Sequence, residues 1–242
     1  MTKNEDDVSK FIISYLLLRK WIGLLGIALP IVLVVGFAWI DTCHNSSLQG
    51  SISAYYYTKM GDYLVGTLCA VGLFLFAYRG YDRLDNIAGN IGGFCAIGVA
   101  FFPMDSGTLQ LEFTSSIHNG IFAPLVGIFH YVFAGGLFLT LAFFSLYLFT
   151  KSDLDSNELK QNTPKRYRNN IYRVCGYVIL ICILLMFINL SINLIVGNCY
   201  QDIVKRFKPL FWLESISLWA FGLSWLTKGE FLFPDKSNTS SR

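Results

Sequence analysis

At 242 residues the chain is long enough for one or two soluble domains, but 54% of it is hydrophobic and only 14% charged, against about 25% charged in an ordinary soluble domain. The mean hydropathy of +0.49 excludes the usual soluble classes. The net charge of +3 is too small to point to nucleic acid, so no nucleic-acid partner is expected. The composition predicts an all-α polytopic membrane protein, and 21 Phe with 13 Tyr suit lipid-facing and interfacial surfaces.

Residues 1–20 mix Glu5, Asp6 and Asp7 with Lys3, Lys10, Arg19 and Lys20. They are read as a cytoplasmic tail rather than the short basic start of a signal peptide. The first span is Trp21 to Ile40, uncharged and about long enough to cross ~30 Å of hydrocarbon, with Pro30 expected to kink it. Further spans are expected at Asp62–Tyr78, Asn86–Met104, Pro124–Thr150, Val174–Gly197 and Pro209–Thr227. Six spans are favoured. The other count is five, with the short, glycine-rich second or third segment re-entrant. The organisation is therefore a tail (1–20), a six-transmembrane-helix bundle (21–227) and a second tail (228–242).

Lysine and arginine set the orientation. The two tails, the 79–85 turn and the 151–173 loop hold fifteen of them, and the other side holds only Lys59, Lys205, Arg206 and Lys208. Both termini are expected to be cytoplasmic. The membrane is expected to be plasma or inner membrane in a bacterial host, and otherwise an internal one.

Span three carries a ladder of small residues, Ala88, Gly92, Ala96 and Ala100, with Gly89 and Gly93 beside it. Such a ladder lets helices approach closely in lipid. Packing within the chain is the favoured use, and a homo-oligomer seam the other.

The chemistry-bearing residues gather on the outer side. Asp62 opens span two and Asp105 follows span three. His130 lies six residues past Pro124, roughly 9 Å in, and Glu214 lies five past Pro209, roughly 7.5 Å in. An unpaired buried charge costs several kcal/mol, so a His130–Glu214 pair is the expected solution. Such a pair either only fixes packing or serves a substrate. The preceding loop, with Ser51, Ser53, Tyr55, Tyr56 and Tyr57, forms either a polar lid over it or part of an interfacial aromatic belt.

His44, His118 and His130 all fall on the outer side, but their spacings match no local metal pattern, so no metal is expected. No cofactor is implied, and no nucleophile elbow or phosphate loop occurs. Cys43 and Cys199, both in outer loops, are a possible disulfide.

SIS in the first outer loop, FPMD after span three and HYVFAGGLF on span four together resemble the Frag/DRAM/Sfk superfamily. The closer resemblance is to its bacterial six-span relatives of unknown function. It covers roughly residues 20–150. The resemblance implies a six-span protein linked to lipid remodelling, lipid asymmetry or lysosomal and autophagic roles, and singles out Ser51, Ser53, Pro103, Asp105 and His130. The triple tyrosine and Lys59 depart from that pattern.

The leading expectation is a protein that binds or processes a lipid at an outer-leaflet polar site, with membrane lipids as its partners. His130, Glu214 and Asp105 would be catalytic if there is catalysis, His130 because its pKa is nearest neutrality. Asp62, Ser53, Tyr55, Tyr56 and His118 would bind the substrate. The rivals are a small proton-coupled carrier and a non-catalytic scaffold contacting partners through Lys165, Arg166, Arg168 and Arg173.

Overall fold

The computed structural model describes residues 3–40, 48–80, 82–104, 123–151, 163–196 and 206–231. Among them the architecture is all-helical, with six helices and no strand. In chain order these are α1 (Lys3–Ile40), α2 (Gly61–Ala77), α3 (Arg83–Phe101), α4 (Ala123–Phe143), α5 (Thr163–Val196) and α6 (Pro209–Lys228). A 3₁₀ turn at Ser53–Tyr57 precedes α2, and α4 runs on into a π-helical segment, Phe144–Leu148.

Four segments are long and apolar enough to cross a membrane: Tyr15–Ile40, Arg83–Phe101, Gly127–Leu148 and Pro164–Ile192. α2 is apolar but has only 17 residues, about 25 Å of helix. α6 has 20 residues and interrupts its apolar character with Glu214 and several serines. The exposed surface of α5 includes Val174, Tyr177, Ile181, Leu184 and Phe187. An apolar face of that extent is foreign to a soluble monomer and natural against lipid.

Two boundaries differ from the sequence expectation. α1 begins at Lys3, inside the expected tail, because no glycine or proline interrupts residues 3–20 and nothing there stops a helix. It also continues unbroken through Pro30. α5 begins at Thr163, so Lys165, Arg166, Arg168 and Arg173 lie on a helix rather than in a loop. Pro164 suits such a start, since the first helical turn needs no amide donor.

Each helix packs chiefly on its neighbours in the chain, and α6 returns to pack on α1. The six helices alternate in direction, so their ends collect at two poles. One pole joins the Tyr15–Arg19 part of α1, the end of α2 and the end of α6: the Tyr15 hydroxyl donates to the Arg79 carbonyl, and Arg19 Nη1 to the Lys228 carbonyl at 3.4 Å. The other joins the 48–60 segment to the start of α6, where the Phe211 amide donates to the Gly50 carbonyl at 3.1 Å.

Glycines set the helix spacing. A Cβ at Gly93 would lie 2.8 Å from the Gly72 carbonyl oxygen, and one at Gly89 would lie 2.8 Å from that of Leu75. The small-residue ladder of α3 is thus buried against helices of the same chain. A second close approach had no counterpart in the sequence reading. Gly23 on α1 and Gly222 on α6 face each other, each Cβ position within 2.8 Å of the other's carbonyl oxygen.

Candidate functional site

The pole that joins the 48–60 segment to the start of α6 is built around the 3₁₀ turn Ser53–Tyr57, whose amino end needs partners for its first amide groups. The Glu214 carboxylate accepts the Ile52 amide at 2.5 Å and also the Ser53 amide. Ser51 Oγ accepts the Ala54 amide at 3.0 Å, and the Ile52 carbonyl accepts that of Tyr55 at 3.1 Å. At the other end Thr58 Oγ1 donates to the Tyr55 carbonyl and accepts the Met60 amide. Gly61 then starts α2 so close to the turn that a Cβ would sit 2.3 Å from the Tyr56 carbonyl oxygen.

The turn is anchored from several directions. Tyr55 is fully buried, edge-on to Phe37 with ring centroids 5.9 Å apart, and its hydroxyl accepts the Gln49 amide at 3.3 Å. Burial pushes the Tyr55 phenol above its ordinary pKa, against the opposing effect of that amide. Lys208 holds the Leu48 carbonyl through Nζ while its backbone sits at φ 47°, a left-handed conformation unusual for a lysine. Burial pushes the Lys208 ammonium below its ordinary pKa.

His130 occupies a separate niche beside this turn. It is 3% exposed, and its Nδ1 lies 2.7 Å from the Phe102 carbonyl oxygen. A carbonyl only accepts, so Nδ1 carries a proton, and in the neutral form of the ring the lone pair lies on Nε2. The partner is explicable: Phe102 ends α3 just before Pro103, where the last helical carbonyls lack intrahelical donors. His130 fills one of these vacant positions. Its ring lines a mostly apolar cavity with Ser53, Tyr56, Leu64, Val65, Leu68, Val99, Ala100 and Pro103, with space for about one water molecule. The neighbouring Tyr57 hydroxyl donates to the Met104 carbonyl at 2.6 Å, tying the turn to the end of α3.

The expected site residues therefore separate into groups. Ser53, Tyr56 and His130 come together at the cavity. Glu214 and His130 take different partners, each a backbone group, and no hydrogen bond or ion pair joins them among the described residues. The expected pair is replaced because irregular backbone at this pole has a stronger need for both side chains. Tyr55 is a buried plug rather than a rim residue, and Asp62 is exposed in the first turn of α2, away from the cavity lining. Asp105, His118, Cys43 and Cys199 lie outside the described residues. Pro103 is a cavity residue that the binding-site expectation omitted, although the resemblance had marked it.

The opposite pole has another character. Trp225 is fully buried, with its ring centroid 5.1 to 5.8 Å from those of Phe149, Tyr78, Phe144 and Phe221. The π-helical segment makes this possible: its wide turn bonds the Phe149 amide to the Phe144 carbonyl at 2.9 Å and brings both rings to the same tryptophan. Asp82 and Asp85 form a capping box at the start of α3, and Lys151 at the end of the α4 segment pairs with both, at 2.9 and 3.6 Å.

No family model matches this chain, and no curated protein or solved structure is similar to it.

Proposed function

We propose that the protein is a six-span integral membrane protein with both termini cytoplasmic, and that it binds a lipid at its outer pole. The lipid's polar group would meet His130 at the Ser53–Tyr56–Pro103 cavity. The observation that carries this reading is His130 itself: a buried imidazole, held by one nitrogen on a backbone carbonyl, with its other nitrogen basic and without a hydrogen-bond partner among the described residues. An ionisable side chain at that depth is costly unless it is used. The short motifs that resemble the Frag/DRAM/Sfk superfamily, with their implied link to lipid remodelling, add support. Where a lipid is processed, Nε2 would take the proton as general base.

Six crossings and the orientation rest on the alternation of the helices and on the excess of lysine and arginine at one pole. A non-catalytic scaffold is the second reading. It is favoured by the use of Glu214 to hold backbone amides, which removes it as a partner for His130.

The test is photo-crosslinking of the purified protein with a phospholipid carrying a diazirine near its headgroup. The expected adducts map to peptides around Ser53–Tyr56 and His130, and His130→Phe lowers their yield at least about tenfold while the fold is kept. Adducts spread evenly over the lipid-facing helices and indifferent to His130→Phe would remove the lipid site and leave the scaffold.

A further inference from the structure

The cavity beside His130 is small, and its size limits which part of a lipid can enter it. It has space for about one water molecule. A hydroxyl is of that size, whereas a phosphate with its four oxygens is far larger. Entry of a whole headgroup would require walls such as Leu64, Val99 and Pro103 to part.

The chemistry of the lining narrows the choice in the same direction. In the neutral ring Nε2 is an acceptor, since Nδ1 donates to the Phe102 carbonyl at 2.7 Å. An acceptor calls for a donor. The turn's amides that could have met an anion are occupied: Glu214 takes those of Ile52 and Ser53, and Ser51 Oγ takes that of Ala54 at 3.0 Å. Among the described residues no lysine or arginine lines the cavity, and the sequence holds none in residues 105–122. A phosphate there would be desolvated without a counter-charge, and an ammonium would carry its charge into mostly apolar walls. A neutral hydroxyl meets Nε2 with neither penalty. Next to His130 on α4, the half-exposed Phe129 ring lies 5.3 Å from that of Phe102 and 6.4 Å from that of Phe133. This aromatic surface suits the hydrocarbon body of the same lipid.

We propose that the group bound in this cavity is a single lipid hydroxyl, which donates to His130 Nε2 while any phosphate of that lipid stays outside. The hydroxyl belongs either to a neutral lipid, such as a diacylglycerol, or to a hydroxylated headgroup, such as glycerol. The assignment rests on the lipid site proposed above and names the class of lipid it takes.

The experiment uses the full chain in nonionic detergent, labelled by the headgroup-diazirine phospholipid, and measures displacement of the label by two matched pairs of lipids. Phosphatidylglycerol is set against phosphatidylmethanol, which keeps the anionic phosphate and lacks the hydroxyl. Diacylglycerol is set against the same molecule with its hydroxyl acetylated. In at least one pair the hydroxyl-bearing member should half-displace the label at a concentration about fivefold lower, the worth of one hydrogen bond. A preference in the first pair alone assigns the hydroxyl to a headgroup, and one in the second alone assigns it to a neutral lipid. Ala100→Val, which adds two methyl groups at the cavity wall, should bring the preference close to one, as should His130→Phe on its residual labelling. Equal displacement within both pairs, with labelling still dependent on His130, overturns the hydroxyl and leaves the lipid site. A preference undiminished in both folded variants overturns it as well. Labelling indifferent to His130→Phe removes the lipid site and the hydroxyl together.

Discussion

The two poles of the bundle are held together by different means. At the basic pole side chains mostly meet side chains, with four aromatic rings around Trp225, Arg19 over Tyr15, Lys228 over Phe149 and Lys151 on two aspartates, while Tyr15, Arg19 and Lys228 also reach the Arg79, Lys228 and Phe149 carbonyls. At the 48–60 pole side chains meet backbone: Glu214 on two amides, His130 on the Phe102 carbonyl, Tyr57 on the Met104 carbonyl and Lys208 on the Leu48 carbonyl. The reason is local structure. Where helices run to the pole most of their amides and carbonyls are already paired, and the few open carbonyls at helix ends are met by Tyr15, Arg19 and Lys228, so the remaining side chains are free to pack on each other. Where the chain makes a 3₁₀ turn and a helix breaks before Pro103, backbone groups need partners, and near a membrane water supplies few of them. Polar residues that look catalytic in the sequence are drawn into that task. At this pole His130 keeps its Nε2 without a hydrogen-bond partner among the described residues.

The comparison can be broken first at the aromatic pole. Trp225→Ala removes a side chain that touches four rings, and the expected loss is about 3–5 kcal/mol, read as a lowered thermal midpoint in detergent. Trp225→Phe should cost far less, because it keeps an aromatic ring and removes an indole N–H that is buried without an acceptor among the described residues. Equal losses in the two variants would mean that ring packing is not what holds this pole.

The 48–60 pole should respond to acceptor chemistry instead of volume. Glu214→Leu leaves the Ile52 and Ser53 amides without their acceptor, at about 1–3 kcal/mol for each. Hydrogen exchange at residues 50–60 should rise sharply, while the Trp225 end stays protected. Glu214→Gln retains a carbonyl oxygen and should lose only about 1 kcal/mol. Faster exchange at the aromatic pole in Glu214→Leu would show that the poles are one cooperative unit.

The smallest effect is expected at Lys151. The Asp82 hydrogen bond raises its ammonium above the ordinary 10.5, against the opposing effect of desolvation and with the charges of Asp85 and Asp82 adding to the rise. A raised cationic pKa stabilises the folded state fully below the unfolded value, and the contribution is lost as pH climbs through the folded one. The Lys151–Asp82 pair is partly exposed, Lys151 at 23% and Asp82 at 61%, so its worth is about 0.2–1 kcal/mol before screening by salt. Lys151→Gln should therefore change the thermal midpoint slightly at pH 7 and not at all near pH 12. A large shift at pH 7 would place more weight on this contact than its exposure allows.

The all-helical class and the apolar segments around which the helices form follow from sums over neighbouring residues, so hydropathy and helix propensity determined them without reference to anything distant. The tightness of α3 was equally legible, because its small residues repeat at four-residue steps. The helical starts at Lys3 and Thr163 were missed because polarity was read as tail or loop, although polar residues without glycine or proline extend a helix readily. Only the tertiary structure decided the rest. Gly23 meets Gly222 because α6 closes on α1, an approach that no local pattern encodes. Glu214 and His130 bind backbone atoms, and a backbone acceptor or donor is the same at every residue, so nothing in the residue types at Ile52, Ser53 or Phe102 announces the partner. Arg19 reads as one more charge setting orientation until the fold buries it beside Lys228, a consequence of three helices ending at one pole.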